Sequence, residues 1–135
     1  FLPYRLSVAA AQVSRRFAAL YGAEAGLSIP EWRVLAHLDR SGAVSVRDIN
    51  ARVHLDKSIV SRAASRLEEA GLLCKSGHDT DRRLVTLELT AEGRALMRRL
   101  GRIATAFQAE LIAELGPEAG ALDRALTRLI GDTDA

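Results

Sequence analysis

The sequence predicts a mainly α-helical chain with one small β-hairpin, an α+β arrangement, and three features point to it. From Ser45 to Leu72 two short helical patterns follow each other across a tight turn. From Leu72 to Leu89 two apolar stretches, the second alternating at Val85, Leu87 and Leu89, enclose the charged run SGHDTDRR. Long apolar stripes at helical spacing occupy both ends of the chain. Helix, turn, helix and hairpin in that order read as a winged helix-turn-helix at about 30–89, flanked by long terminal helices at about 1–25 and 90–131. One domain of 1–135 is the expectation.

Each element has a local reason. Pro3 suits a first turn, and Leu6, Ala10, Val13, Phe17 and Leu20 follow at 4-3-4-3 spacing. Ser45 can cap a short helix with Asp48 three residues on, and Val46, Ile49 and Val53 give it an inner face. Small Ala51 suits the crossing of two helices. Asp56 offers a carboxylate to the next helix start, where Val60, Ala63, Ala64 and Leu67 form the buried stripe. Gly71 ends that helix. Val85, Leu87 and Leu89 alternate with Leu84, Thr86 and Glu88, so the second wing strand has one buried face. Thr90 caps a long helix with Leu96, Leu100, Ile103, Phe107, Leu111 and Leu115, closed by Gly116-Pro117. A last helix carries Leu122, Leu126, Leu129 and Ile130, with Gly131 as its stop.

The outer face of the second short helix carries the chemistry. At about 100° per residue, Ser58, Ser61, Arg62 and Ser65 lie opposite the buried stripe. Serines let a backbone approach base edges and phosphates, and an arginine can pair with guanine O6 and N7. Lys57 sits near the helix N-terminus, placed for a phosphate, whereas Glu69 shares the face at its far end. The candidate DNA contacts are Lys57, Ser58, Ser61, Arg62, Ser65 and Arg66 on the helix, with Arg82 and Arg83 on the wing. Asp81 is the candidate wing support, able to hold Arg83 by a charge-assisted hydrogen bond while that arginine enters a minor groove. The competing interpretation is a solvated helix and a hairpin with a surface salt bridge of little worth.

The run LDKSIVSRAASRLEEAGLL followed by DTDRRLVTLELTAEGRAL resembles the MarR family of bacterial transcription regulators. The likeness rests on Ser58 to Arg62, Leu67 to Leu72, Asp81 to Arg83 and Leu89 to Gly93, and LSIPEWRVLAHL resembles the second helix of that family. One departure is His54, where relatives often carry glycine in the turn. The resemblance implies a two-fold homodimer built from the terminal helices and a repressor relieved by a small, often aromatic or phenolic, anion. Arg16, Tyr21, Trp32 and His37 are the candidate effector-binding residues, combining aromatic surface with cationic groups, although each also reads as a core, interface or solvated residue. A two-fold dimer would need a pseudo-palindromic operator with half-sites about one helical turn apart.

Composition agrees. Of 19 Lys and Arg and 17 Asp and Glu, residues 45–102 hold 12 and 8 (net +4), residues 1–44 hold 5 and 3 (net +2), and residues 103–135 hold 2 and 6 (net −4). The positive excess therefore coincides with the expected reader. A helix from Thr90 to Leu115 is too long to be buried by a winged helix alone, and a second copy is the expected partner. A monomer folding its own helices into a hairpin is the alternative. No apolar run of about 18 residues and no signal peptide is visible, so a cytoplasmic protein without a membrane span is expected. The chain opens on Phe1, and a short native N-terminus is expected before it.

The lone Cys74 excludes an internal disulfide framework; it is expected to be a buried, inert thiol, with a thiol-responsive regulator as the alternative. His37, His54 and His78 are far apart, so neither a metal nor any other cofactor is expected. No nucleophile motif or phosphate loop is present, and an enzyme is not expected. A winged-helix protein-interaction module remains the rival, and it would need an apolar outer face on Ser58–Ser65.

Overall fold

Capping chemistry sets where the helices of the computed structural model begin. It describes residues 1–53, 55–78 and 81–131, with the backbone alone at 52, 78 and 81–84. His54 lies outside the described residues.

Helix α1 (Leu2–Ala25) has Pro3 in its first turn and ends at Gly26, whose φ of 68° is left-handed. Helix α2 (Ile29–Ser41) opens on a full capping box. The Ser28 Oγ accepts the Glu31 N–H at 3.3 Å, and Glu31 Oε1 accepts the Ser28 N–H at 3.0 Å. Helix α3 (Val46–Arg52) follows the two-residue strand β1 (Val44–Ser45), and Ser45 Oγ accepts the Asp48 N–H at 3.1 Å as expected. Helix α4 (Lys57–Glu69) starts after Asp56, but the exposed Asp56 carboxylate makes no capping hydrogen bond. The residue marks the start by its extended backbone alone.

Strands β2 (Leu73–His78) and β3 (Asp81–Leu89) form the wing, and β1 joins them in an antiparallel sheet of order β1-β3-β2. The expected two-stranded hairpin is thus three-stranded, because Val44 and Ser45 pair with Leu87 and Thr86. On the other side Leu73 pairs with Leu89, Cys74 with Glu88 and Lys75 with Leu87, before a register shift between Ser76 and His78. Leu73, Leu87 and Leu89 are buried, so the alternation of β3 does select the inner face.

Two compact units result, Phe1–Gly101 and Arg102–Ala135. In the first, Val34, Leu35 and Leu38 of α2, Ile49 of α3 and Val60, Ala63, Ala64 and Leu67 of α4 are buried with those strand leucines. Helix α5 (Ala91–Leu115) adds Leu96, Met97 and Leu100. In the second unit no described residue is buried, and α6 (Ala119–Ile130), which follows a 3-10 turn at Gly116–Glu118, leaves Leu122, Leu126, Leu129 and Ile130 exposed. Phe1, Leu2, Tyr4 and Leu6 of the first unit are exposed as well. No described helix is long and apolar enough to cross a membrane.

One seam joins reader, wing and long helix. Thr90 Oγ1 donates to the Gly71 carbonyl at 2.6 Å and accepts the Gly93 N–H at 3.1 Å, while the Thr90 N–H donates to the Leu72 carbonyl at 3.1 Å. A Cβ at Gly93 would stand 2.0 Å from the Leu72 carbonyl oxygen, so only glycine lets α5 pack this close. Arg94 Nη1 adds a bond to the Leu89 carbonyl at 2.9 Å.

Gly93→Ala is expected to destabilise the fold by about 3 kcal/mol, since the obstructing atom is backbone. Gly101→Ala, on the same helix with open space around it, is expected to stabilise by about 0.5–1 kcal/mol. Urea midpoints of the two variants on either side of wild type would check this; equal shifts would refute the seam.

Candidate nucleic-acid interface

Helix α4 divides into an inner and an outer half along its axis. Val60, Ala63, Ala64 and Leu67 are all but completely buried, and the same periodicity leaves Lys57, Ser58, Ser61 and Arg62 exposed. Among the described residues neither Lys57 nor Arg62 has a carboxylate partner. The N-terminal half of α4 thus shows hydroxyls, the cations of Lys57 and Arg62 and the positive end of a helix dipole on one surface. Short serine side chains let such a surface approach a groove floor, where a longer row would hold it off.

The C-terminal half is fastened on both flanks. Arg66 lies about 80° around the helix from Ser58, and its Nε stands 3.9 Å from Glu31 Oε2, the carboxylate that also caps α2. On the opposite flank Lys75 Nζ donates to Ser65 Oγ at 3.2 Å and lies 3.8 Å from Glu68 Oε1. Of the six helix residues expected to touch DNA, four therefore form one exposed group, and Ser65 and Arg66 are engaged by neighbouring elements. The Ser28–Glu31 box was legible as an S-x-x-E signature before an apolar run. Lys75 carried a weaker signal: strand parity with Leu73 puts it on the inner face. Arg47 is exposed on α3, the helix that crosses the sugar-phosphate backbone in helix-turn-helix proteins, and it adds a cation beside the expected set.

On the wing, the backbone of Asp81, Arg82 and Arg83 belongs to β3, and their side chains lie outside the described residues. Cys74 is exposed, which corrects the expected buried thiol. The register explains it, since Leu73 takes the inner face and Cys74 pairs with Glu88 on the outer one.

Of the four candidate effector residues, two come together. Tyr21 of α1 stacks on Trp32 of α2 with ring centroids 5.3 Å apart at 17°, and Phe17 packs edge-on against both, at 5.1 and 5.0 Å. Tyr21 is 1% exposed, and burial pushes its phenol above the ordinary 10.0, with the Arg33 charge acting in the opposite direction. Arg16 is exposed on α1 and His37 half-buried on α2. A groove of about 420 Å3 is lined instead by Ala25, Leu72, Glu92, Ala95, Leu96 and Arg99. Among the described residues no three His, Cys, Asp or Glu gather as a metal site would need.

The fold and the exposed face of α4 define a winged helix-turn-helix protein. Residues 25–84 match the MarR family, so the chain carries a MarR-family winged helix-turn-helix. It is 35% identical over 68 residues to the transcriptional repressor MdtR of Bacillus subtilis, a match covering 50% of this chain and 44% of that repressor's length. A MarR family transcriptional regulator from Silicibacter pomeroyi superposes with a TM-score of 0.81 at 27% identity, over 100% of this chain and 91% of that one. Bordetella bronchiseptica BpsR, whose DNA binding is regulated by 6-hydroxynicotinic acid, gives 0.77 at 25% identity over 95% and 99% of the two chains.

Tyr21 supplies a test of the aromatic cluster. In a Tyr4→Phe background the tyrosinate absorbance reports Tyr21 alone, and its midpoint is expected above 10.0. A raised folded value favours the native state fully below about pH 10, and that contribution is lost as pH rises through the folded value. A midpoint at or below 10.0 in folded protein would contradict the buried stack.

Proposed function

We propose that this chain is a sequence-specific double-stranded DNA-binding transcriptional regulator, a homodimeric repressor relieved by a small aromatic anion. One observation carries the proposal: α4 buries its apolar stripe completely while Lys57, Ser58, Ser61 and Arg62 stand exposed together. A protein-docking helix would present an apolar outer face; this one presents hydroxyls and cations. Arg62 is assigned to a guanine edge, Lys57 to a phosphate, Arg82 and Arg83 to the flanking minor groove, and Asp81 to holding Arg83.

Dimerisation is supported by apolar side chains that the single chain leaves uncovered. Leu129 is 67% exposed and Leu2 70%, on the helices that the MarR resemblance assigns to dimerisation. Two readers related by a two-fold axis call for a pseudo-palindromic operator with half-sites about one turn of DNA apart. For the effector, BpsR responds to an aromatic carboxylate. The Phe17–Tyr21–Trp32 cluster offers stacking surface, and Arg16 and His37 on the same two helices offer charge and hydrogen bonds. Such a regulator works in the cytoplasm, where bacterial DNA lies.

Selection of bound duplexes from a random pool, followed by titrations across salt concentrations, tests the assignment. Arg62→Ala is expected to weaken the selected duplex by about 10- to 100-fold and to relax one base position. Arg83→Ala is expected to weaken binding and to lower the salt slope by about one unit. Unchanged affinities in both variants, or a wild-type protein indifferent to every duplex at low salt, would overturn the proposal. Leu129→Glu is expected to shift the protein from dimer to monomer in sedimentation equilibrium; an unaffected dimer would remove α6 from the interface.

A further inference from the structure

Lys75 shares the sheet face of the buried leucines but stands exposed at its edge. It pairs with Leu87 in register and shares strand parity with Leu73, both of which are buried. A lysine tolerates such a place by laying its stem on apolar surface and carrying its ammonium to the edge. Here the ammonium reaches α4, 3.2 Å from Ser65 Oγ and 3.8 Å from Glu68 Oε1. Ser65 and Glu68 are three residues apart, so both anchors lie on one flank of the helix. Just beyond Lys75 the ladder loses regular register, between Ser76 and His78, and the tie therefore acts at the base of the wing.

We propose that Lys75 is a positioning residue for DNA recognition. It fixes the angle between α4 and the wing, and Ser65 serves as its anchor instead of reading a base. This rests on the DNA-binding function proposed above. A winged reader touches a major groove with its helix and a neighbouring minor groove with its wing, so the span between them must match the duplex. The two elements are covalently joined through Ala70, Gly71 and Leu72, and the hydrogen bonds at that joint all lie at the very end of the helix. A bond from β2 across to Ser65, about one turn before the helix ends, adds a tie farther along it. The Arg66–Glu31 pair holds the other flank, leaving the N-terminal half of α4 as the part that meets bases.

The test compares wild type, Lys75→Met, Lys75→Arg and Ser65→Ala on the tightest duplex recovered by selection. Lys75→Met keeps the stem and removes the ammonium; it is expected to weaken binding about five- to tenfold with the salt slope unchanged, since no phosphate contact is lost. Lys75→Arg restores affinity, and Ser65→Ala combined with Lys75→Met costs no more than Lys75→Met alone. Hydroxyl-radical protection of the flanking minor grooves fades while guanine N7 protection in the major groove persists. A salt slope reduced by about one in Lys75→Met would make the lysine a direct phosphate contact and overturn the proposal. Unchanged affinity would also overturn it, with the DNA function intact, whereas a wild type that binds no duplex would remove that function and this inference together. If Lys75→Met fails to fold, Ser65→Ala cuts the same bond from the helix side, and an unchanged wing footprint in that variant is equally fatal.

Discussion

The close approach at Gly93 holds the reader to its scaffold. Because that residue has no Cβ, the start of α5 settles against the Leu72 carbonyl, and Thr90 bonds to Gly71 on one side and to Gly93 on the other. Four elements meet there: the end of α4, the first residue of β2, the last of β3 and the first turn of α5. Any movement of α5 at this point is passed to the end of α4 through backbone atoms, which deform less readily than side chains. That makes the seam the physical basis on which a movement of α5 can reach α4 and its exposed serine and cation face.

Helix α4 is divided in two ways. Across its axis, burial separates Val60, Ala63, Ala64 and Leu67 from the hydroxyl and cationic face. Along its axis, ion pairs and a hydrogen bond occupy the second half, and the first half stays free for a ligand. The exposed pairs contribute little to stability individually. Their value is directional, because each ties α4 to a different neighbour, α2 through Glu31 and the wing through Lys75.

Charge and apolar surface are segregated along the chain. Residues 45–102 carry a net +4 and residues 103–135 a net −4, so an anionic surface would favour the first segment over the last. The segment that carries the negative excess also buries no described residue and exposes Leu122, Leu126, Leu129 and Ile130. An acidic, apolar-faced helix pair suits protein contact, and a basic, serine-faced helix suits DNA.

Local chemistry made much of this legible in the residues themselves. Ser45, Thr90 and Gly71 mark helix ends because caps satisfy backbone groups within a few residues. The buried stripe of α4 and the inner face of β3 follow from periods of 3.6 and 2, which are properties of one segment. The outward group Lys57, Ser58, Ser61 and Arg62 was readable for the same reason. What tertiary structure decided is pairing between distant segments. Strand β1 has only two residues, too few for a period, and exists because Leu87 and Thr86 lie beside it. The exposure of Cys74, the Arg66–Glu31 pair and the Lys75–Ser65 bond all depend on register or on the distance between elements, which no single segment's pattern encodes. Sequence fixes which way a side chain faces; the packed fold alone determines what it meets there.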